Sequence, residues 1–247
     1  MTAILNQHEN YLQADQAYGF PLLIKNLLSR AKVVSGDKKI HYADKTSYTY
    51  HEFFKRVNRL ANVLKGLNLQ KGDVVAVMDW DTHRYLECYF AIPMCGYILQ
   101  TVNVRLSEDK VLYTINHAKP KALLLNSEFS PMIKSHTQDA PSVEHVIWLD
   151  DNNTPMPPYA QGEYEAMLAQ ASDEYEFEDF DENTIATTFY TSGTTGNPKG
   201  VFFSHRQIVM HTLVVAIANA LNIEGQGLRY SDVYMPMTPM FHVHAWG

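Results

Sequence analysis

Three features of the sequence predict an α/β fold, with sheets of largely parallel strands flanked by helices. From Gly72 onward, short apolar runs alternate with longer amphipathic ones, the rhythm of strand–helix succession. Four of the short runs (DVVAVM, YILQTVN, KALLLNS, HVIWLDD) are apolar almost throughout, as strands covered on both faces are. A further strand-like run, IATTFYTS, leads straight into a glycine-rich polar loop. The 247 residues, 46% hydrophobic and 19% charged, suffice to bury a sizeable core.

The elements follow in order. Residues 21–34 (PLLIKNLLSRAKVV) carry apolar side chains at helical spacing. Residues 38–43 and 46–50 read as short strands turned at Asp44 and Lys45. Over 51–67, Phe53, Phe54, Val57, Leu60, Ala61 and Leu64 share one helical face, and the run closes near Gly66. A strand at 73–78, a helix over 83–96 and a strand at 97–103 come next. Ser107 is expected to cap a helix running to Lys119, with Glu108 and Asp109 at its positive end. Strands at 121–127 and 145–151 enclose another expected helix. Residues 152–159 (NNTPMPPY) form a surface loop, and the acidic run 173–182 (DEYEFEDFDE) reads as a solvated connection. Strands at 185–192 and 201–205 flank the glycine-rich loop, and no internal repeat is present.

Charge and cysteine usage narrow the function. Net charge is −7 and no Lys/Arg cluster is dense enough to track a phosphate backbone, which argues against a nucleic-acid partner. Cys88 and Cys95, the only cysteines, suit neither a zinc ribbon nor a redox pair and read as buried thiols. The N-terminal stretch lacks a basic start and a continuous apolar core, so it is not a signal peptide. The longest apolar run, 213–221, is far short of a membrane span. A reducing, cytoplasmic setting is expected, with peripheral membrane contact left open.

The richest chemistry lies at 190–200, YTSGTTGNPKG, which combines three glycines, four Ser/Thr hydroxyls and one lysine. Glycines let backbone N–H groups close on a polyanion, hydroxyls can donate or ligate Mg²⁺, and Lys199 offers a point charge for phosphate. This is not a Walker A loop: counting from Gly193, Pro198 stands where the second glycine belongs and Gly200 where the hydroxyl belongs. On composition alone, a polar turn between two strands remains the competing reading. Further along, His242 and His244 fall on one face of an extended segment, but no Cys, Asp or Glu lies close in sequence to complete a metal site. For Trp246 in the same segment, core packing is the competing reading.

The string YTSGTTGNPKGV resembles the phosphate-binding signature of the adenylate-forming superfamily, which includes acyl-CoA synthetases, firefly luciferase and peptide-synthetase adenylation domains. Residues 56–78, 89–125 and 239–247 (PMFHVHAWG) resemble further stretches of that family, in the same order. The last is similar to a motif of fatty acyl-CoA synthetases, although His244 stands where those enzymes often carry Asn. The resemblance implies activation of a medium- or long-chain fatty acid by ATP to acyl-AMP, then transfer to CoA. It implies that Thr191, Ser192, Gly193, Thr194, Thr195, Gly196, Pro198, Lys199 and Gly200 cradle the nucleotide phosphates. Lys199 would neutralise pyrophosphate and Thr191 would ligate Mg²⁺. Val243 would contact the nucleotide through its backbone, His242 would sit beside the acyl-adenylate, and Trp246 would gate the acyl tunnel.

By the same resemblance the chain is expected to be the front part of such an enzyme, with later motifs and a mobile C-terminal domain absent. Residues 70–225 would form one subdomain, and 1–70 with 226–247 parts of a second. Family members are often homodimers, which makes the parent a candidate homodimer. Two other functions stay open: a ligase for a short-chain or sulfur-containing acid, and a non-catalytic nucleotide-binding module.

Overall fold

The computed structural model describes residues 19–191, 196–221, 227 and 229–242. Helix α1 (Ile24–Val34) precedes an antiparallel hairpin of β1 (Lys39–Tyr42) and β2 (Thr46–Thr49). Its turn is three residues rather than two, with Ala43 in the left-handed region at φ 46°. Helix α2 (Tyr50–Gly66) begins where the Thr49 hydroxyl accepts the Glu52 N–H at 3.2 Å. All six residues of its predicted apolar face are buried.

A seven-stranded sheet follows, built from β3 (Val74–Met78), β4 (Ile98–Thr101), β5 (Ala122–Asn126), β6 (His145–Leu149), β7 (Gly162–Glu163), β8 (Ile185–Thr191) and β9 (Lys199–Ser204). Its spatial order is β7-β6-β5-β3-β4-β8-β9. Every neighbouring pair is parallel except β8 and β9, which run antiparallel at one edge. Helices α3 (His83–Met94), α4 (Glu108–Ala118), α5 (His136–Asp139), α6 (Tyr164–Gln170) and α7 (His205–Ala220) complete the chain. The largely parallel sheet flanked by helices is therefore the architecture that the sequence predicts.

Three local expectations are corrected. The Ser107 side chain makes no capping bond; its carbonyl accepts from Lys110 and Val111 instead, and α4 ends on Lys119 at φ 54°. Between β5 and β6 lies no full helix but a 3₁₀ turn (Ser127–Met132), containing Pro131, followed by the single turn of α5. The last strand stops at Ser204, because the Ser204 hydroxyl and the Gln207 side chain cap each other's backbone and start α7. Strand β7 and helix α6 have no counterpart in the sequence reading.

The acidic run departs most. Over 171–177 its residues alternate inward and outward, with Tyr175 and Phe177 turned toward the core and Glu174 and Glu176 toward water. Asn58 and Asn62 donate to the carbonyls of Asp173 (2.8 Å), Ser172 (2.8 Å) and Glu174 (2.9 Å). Lys25 pairs with Asp179 and Lys71 with Glu178. Far from being a merely solvated connection, the segment is a strap across α1 and α2 that delivers the chain to β8.

Candidate functional site

Parallel sheets place ligands beyond the carboxyl ends of their strands, where the order of addition reverses. Here β4 is added on one side of β3 and β5 on the other, so the reversal falls between β3 and β5, next to β4. Strand β8 lies beside β4, pairing Thr101 with Phe189, so Thr191 emerges at that same carboxyl edge. The topology thus brings the glycine-rich segment to the edge where a ligand crevice belongs.

At the mouth of the β8–β9 hairpin, Thr191 and Lys199 are register partners, and the Thr191 hydroxyl reaches the Lys199 carbonyl at 3.5 Å. That bond is long and weak, which leaves the hydroxyl free for a stronger partner. Both residues are exposed, and among the described residues Lys199 enters no ion pair. Gly196 sits at φ 128°, a backbone conformation that an L side chain rarely adopts. Pro198 is buried, anchoring one arm of the loop, and Gly200 faces the Tyr190 ring across the ladder.

The root of the hairpin is tied to α4. The Tyr190 hydroxyl and His117 Nδ1 are 2.8 Å apart, with the Tyr113 ring stacked on His117. Burial, and then the neighbouring Tyr113, push the Tyr190 phenol up to about 12, so it stays protonated.

A second sequence-predicted segment reaches the same edge. Met240 and Phe241 are 4% and 2% exposed. The Met240 N–H donates to Asp81 Oδ1 at 2.5 Å, and the Tyr89 hydroxyl donates to the Met240 carbonyl. The Arg105 guanidinium lies 5.8 Å from the Phe241 ring centre. His242 closes a turn by donating its N–H to the Pro239 carbonyl at 2.9 Å, with its side chain exposed. Ser192, Gly193, Thr194, Thr195, Val243, His244 and Trp246 lie outside the described residues.

Buried charge organises this edge. Asp79, fully buried at the end of β3, accepts from Thr82 Oγ1 (2.5 Å), Asn126 Nδ2 (2.7 Å) and the Trp80 N–H (2.9 Å). Burial nonetheless raises its pKa. Arg84 stands between Asp79 at 3.7 Å and Asp151 at 3.0 Å. Nearby, Glu87 accepts from Arg56 Nε (2.7 Å), the Tyr48 hydroxyl (2.6 Å) and the Tyr164 hydroxyl (2.6 Å). Burial would raise the Glu165 carboxyl, but hydrogen bonds from His83 and Arg56 hold it at about 2.

Asp81, Tyr89, Arg105 and His117 are not singled out by the sequence. The Asp-Trp-Asp-Thr string between a strand and a helix was the available signal for the first. Among the described residues no group of three or more His, Cys, Asp or Glu side chains could hold a metal. A cavity of about 590 Å³ lies elsewhere, near the start of β4, lined by Lys65, Lys71, Cys95, Tyr97 and Tyr175. It is at the opposite edge of the sheet from the hairpin loop.

Residues 28–247 match the family described as AMP-binding enzyme. The chain belongs to that family. Among relatives of this AMP-binding chain, a medium-chain-fatty-acid–CoA ligase of Ectopseudomonas oleovorans is 34% identical over 232 residues, covering 92% of this chain and 42% of the relative. A 3-methylmercaptopropionyl-CoA ligase of Ruegeria lacuscaerulensis is 33% identical over 233 residues, with 92% and 42% covered. In fold, it is similar to the crystal structure of the anthranilate CoA ligase AuaEII in complex with anthranoyl-AMP, with a TM-score of 0.78 at 23% identity, covering 92% of this chain and 42% of that one. The chain spans about 42% of the length of these curated relatives. Among the described residues no helix is long and apolar enough to cross a membrane, and Cys88 and Cys95 are free and buried.

Proposed function

We propose that the full-length protein to which this sequence belongs activates a medium- or long-chain fatty acid with ATP and passes the acyl group to CoA. The observation that carries the reading is the exposed Thr191–Lys199 pair at the mouth of a glycine-bearing hairpin, on the carboxyl edge of a sheet in an AMP-binding enzyme. A carboxylate oxygen attacks the α-phosphorus, the bond to the bridging oxygen breaks, and pyrophosphate leaves. The CoA sulfur then attacks the acyl carbon of the mixed anhydride and AMP leaves.

Catalysis of the first step rests on positioning and charge neutralisation. Lys199 carries a charge with no ion-pair partner among the described residues, as a phosphate-binding amine requires. It holds the outer phosphates and offsets the charge of departing pyrophosphate. Backbone N–H groups of 192–196 close around the same phosphates, with Pro198 and Gly200 fixing the second arm. The Thr191 hydroxyl is the donor suited to Mg²⁺, which when bound neutralises phosphate charge. His242 faces the acyl-adenylate, the Val243 backbone meets the nucleotide, and Trp246 gates the acyl site. Residues 70–225 form one subdomain and the flanking segments belong to a second. Two buried free thiols fit a reducing cytoplasm, and family analogy makes the parent a candidate homodimer.

One alternative acid class has specific support: the 3-methylmercaptopropionyl-CoA ligase is almost as similar as the medium-chain ligase. Exchange of labelled pyrophosphate into ATP by the full-length protein, across a panel of acids, decides between them. Strongest exchange with C6–C16 aliphatic acids supports the proposal. Exchange confined to sulfur-containing or short acids would replace it.

A further inference from the structure

We propose that Asp81 is a positioning residue for this chemistry, fixing with Tyr89 the turn that bears His242 at the carboxyl edge of the sheet. The proposal rests on the functional reading above but is argued from different residues. Met240 and Phe241 are almost fully buried, yet residues 233–242 form no helix or strand that could satisfy their backbone. A buried peptide group without a partner is costly, so side chains must supply one. Both groups of Met240 are supplied by α3 and the loop before it: Asp81 accepts its N–H at 2.5 Å and Tyr89 donates to its carbonyl.

The donor's partner is itself held. Thr82 donates its N–H to the Trp80 carbonyl at 2.8 Å and its hydroxyl to Asp79 at 2.5 Å, which leaves Asp81 little freedom in the turn between them. Asp79 is anchored in turn by Asn126 at the end of β5. From Met240 the constraint runs two residues to His242, whose N–H returns to Pro239. Arg105, in the loop after β4, lies against Phe241 on the other side. The turn is therefore clamped by the loops that follow β3 and β4, at the carboxyl edge of the sheet. Asp81 is exposed and outside the core, so its loss releases the turn without emptying the interior.

In the full-length protein, Asp81→Ala is expected to lower kcat for acyl-adenylate formation about tenfold to a hundredfold, the scale of an ångström's misplacement. The KM for ATP stays within about twofold, because the Lys199 hairpin is untouched. Asp81→Asn keeps an acceptor oxygen for Met240 and recovers most of the rate. Independently of activity, amide hydrogen exchange at Met240 accelerates about tenfold or more in Asp81→Ala, and much less in Asp81→Asn. Tyr89→Phe accelerates exchange of the same turn. Unchanged kcat or unchanged Met240 exchange in Asp81→Ala overturns the proposal, as does equal impairment by Ala and Asn. If the wild-type protein exchanges no pyrophosphate with any acid, the functional reading falls, and Met240 exchange still decides whether Asp81 anchors the turn.

Discussion

Helices α3 and α7 are both rich in apolar residues on every side, yet α3 buries eleven of its twelve residues and α7 only two of its sixteen. Helix α3 packs between the sheet, α1 and α2. Even its charged residues Arg84 and Glu87 are buried against partners. Among the described residues, helix α7 packs mainly against α1 and β9. Away from them, Met210, Leu213, Val214, Ile217 and Leu221 are exposed at helical spacing. A helix apolar all round is written for burial. The sheet half of the molecule therefore supplies its own cover, whereas the described residues cover α7 on one flank.

The contrast breaks first at Glu87. Removing its carboxylate strands the hydroxyls of Tyr48 and Tyr164 in the interior and leaves Arg56 with Glu165 alone. Glu87→Ala is expected to cost about 3–5 kcal/mol in urea unfolding. A loss under about 1 kcal/mol would mean that α3 is not locked by this network.

Next comes His205, the buried root of α7. It is fully buried, its Nδ1 accepts the Ile24 N–H at 3.3 Å, and burial lowers its pKa from 6.5 to about 4. Between those values the unfolded chain binds the proton and the folded chain does not. The stability it contributes is whole above about pH 6.5 and is lost as pH falls toward 4, on the order of 3 kcal/mol. Melting temperatures measured from pH 7 to 4 should show this slope in the native chain and a shallower one in His205→Gln. Parallel slopes would remove His205 from the account.

The smallest effect sharpens the comparison. Ile217, 58% exposed, should change stability by no more than about 0.5 kcal/mol on substitution to Lys. The same change should reduce binding of a hydrophobic dye by the 247-residue chain. A loss of several kcal/mol, as expected for Ile92→Ala in α3, would show that α7 is covered after all.

The same two helices explain what the sequence reveals. Alternation of strand and helix, the α2 face and the buried Cys88 and Cys95 were legible, because burial on a defined face leaves a period. Helix α7 shows in the sequence only as the apolar run 213–221, whereas α3, equally apolar all round, is legible because it stands between two strand-like runs and closes at Gly96. The Ser204 and Gln207 capping box of α7 was nonetheless present in the string. In the acidic strap the charge hides the packing, although its Glu-Tyr-Glu-Phe-Glu alternation carries an extended period of two. In the site, the hairpin residues were legible because glycine, hydroxyl and lysine are chemically distinctive. Asp81, Tyr89 and His117 were not, because their importance comes from contacts across 159, 151 and 73 residues of chain.

Phosphate binding by the β8–β9 hairpin underlies the whole functional reading. Its most direct measurement compares two half-reactions in full-length Lys199→Ala: adenylate formation, followed by pyrophosphate exchange, and thioester formation from supplied acyl-AMP. The expected result is adenylation slowed by two or more orders of magnitude, about the cost of losing one electrostatic donor to a developing charge, with thioester formation little changed. Equal slowing of both half-reactions, or none, would contradict it.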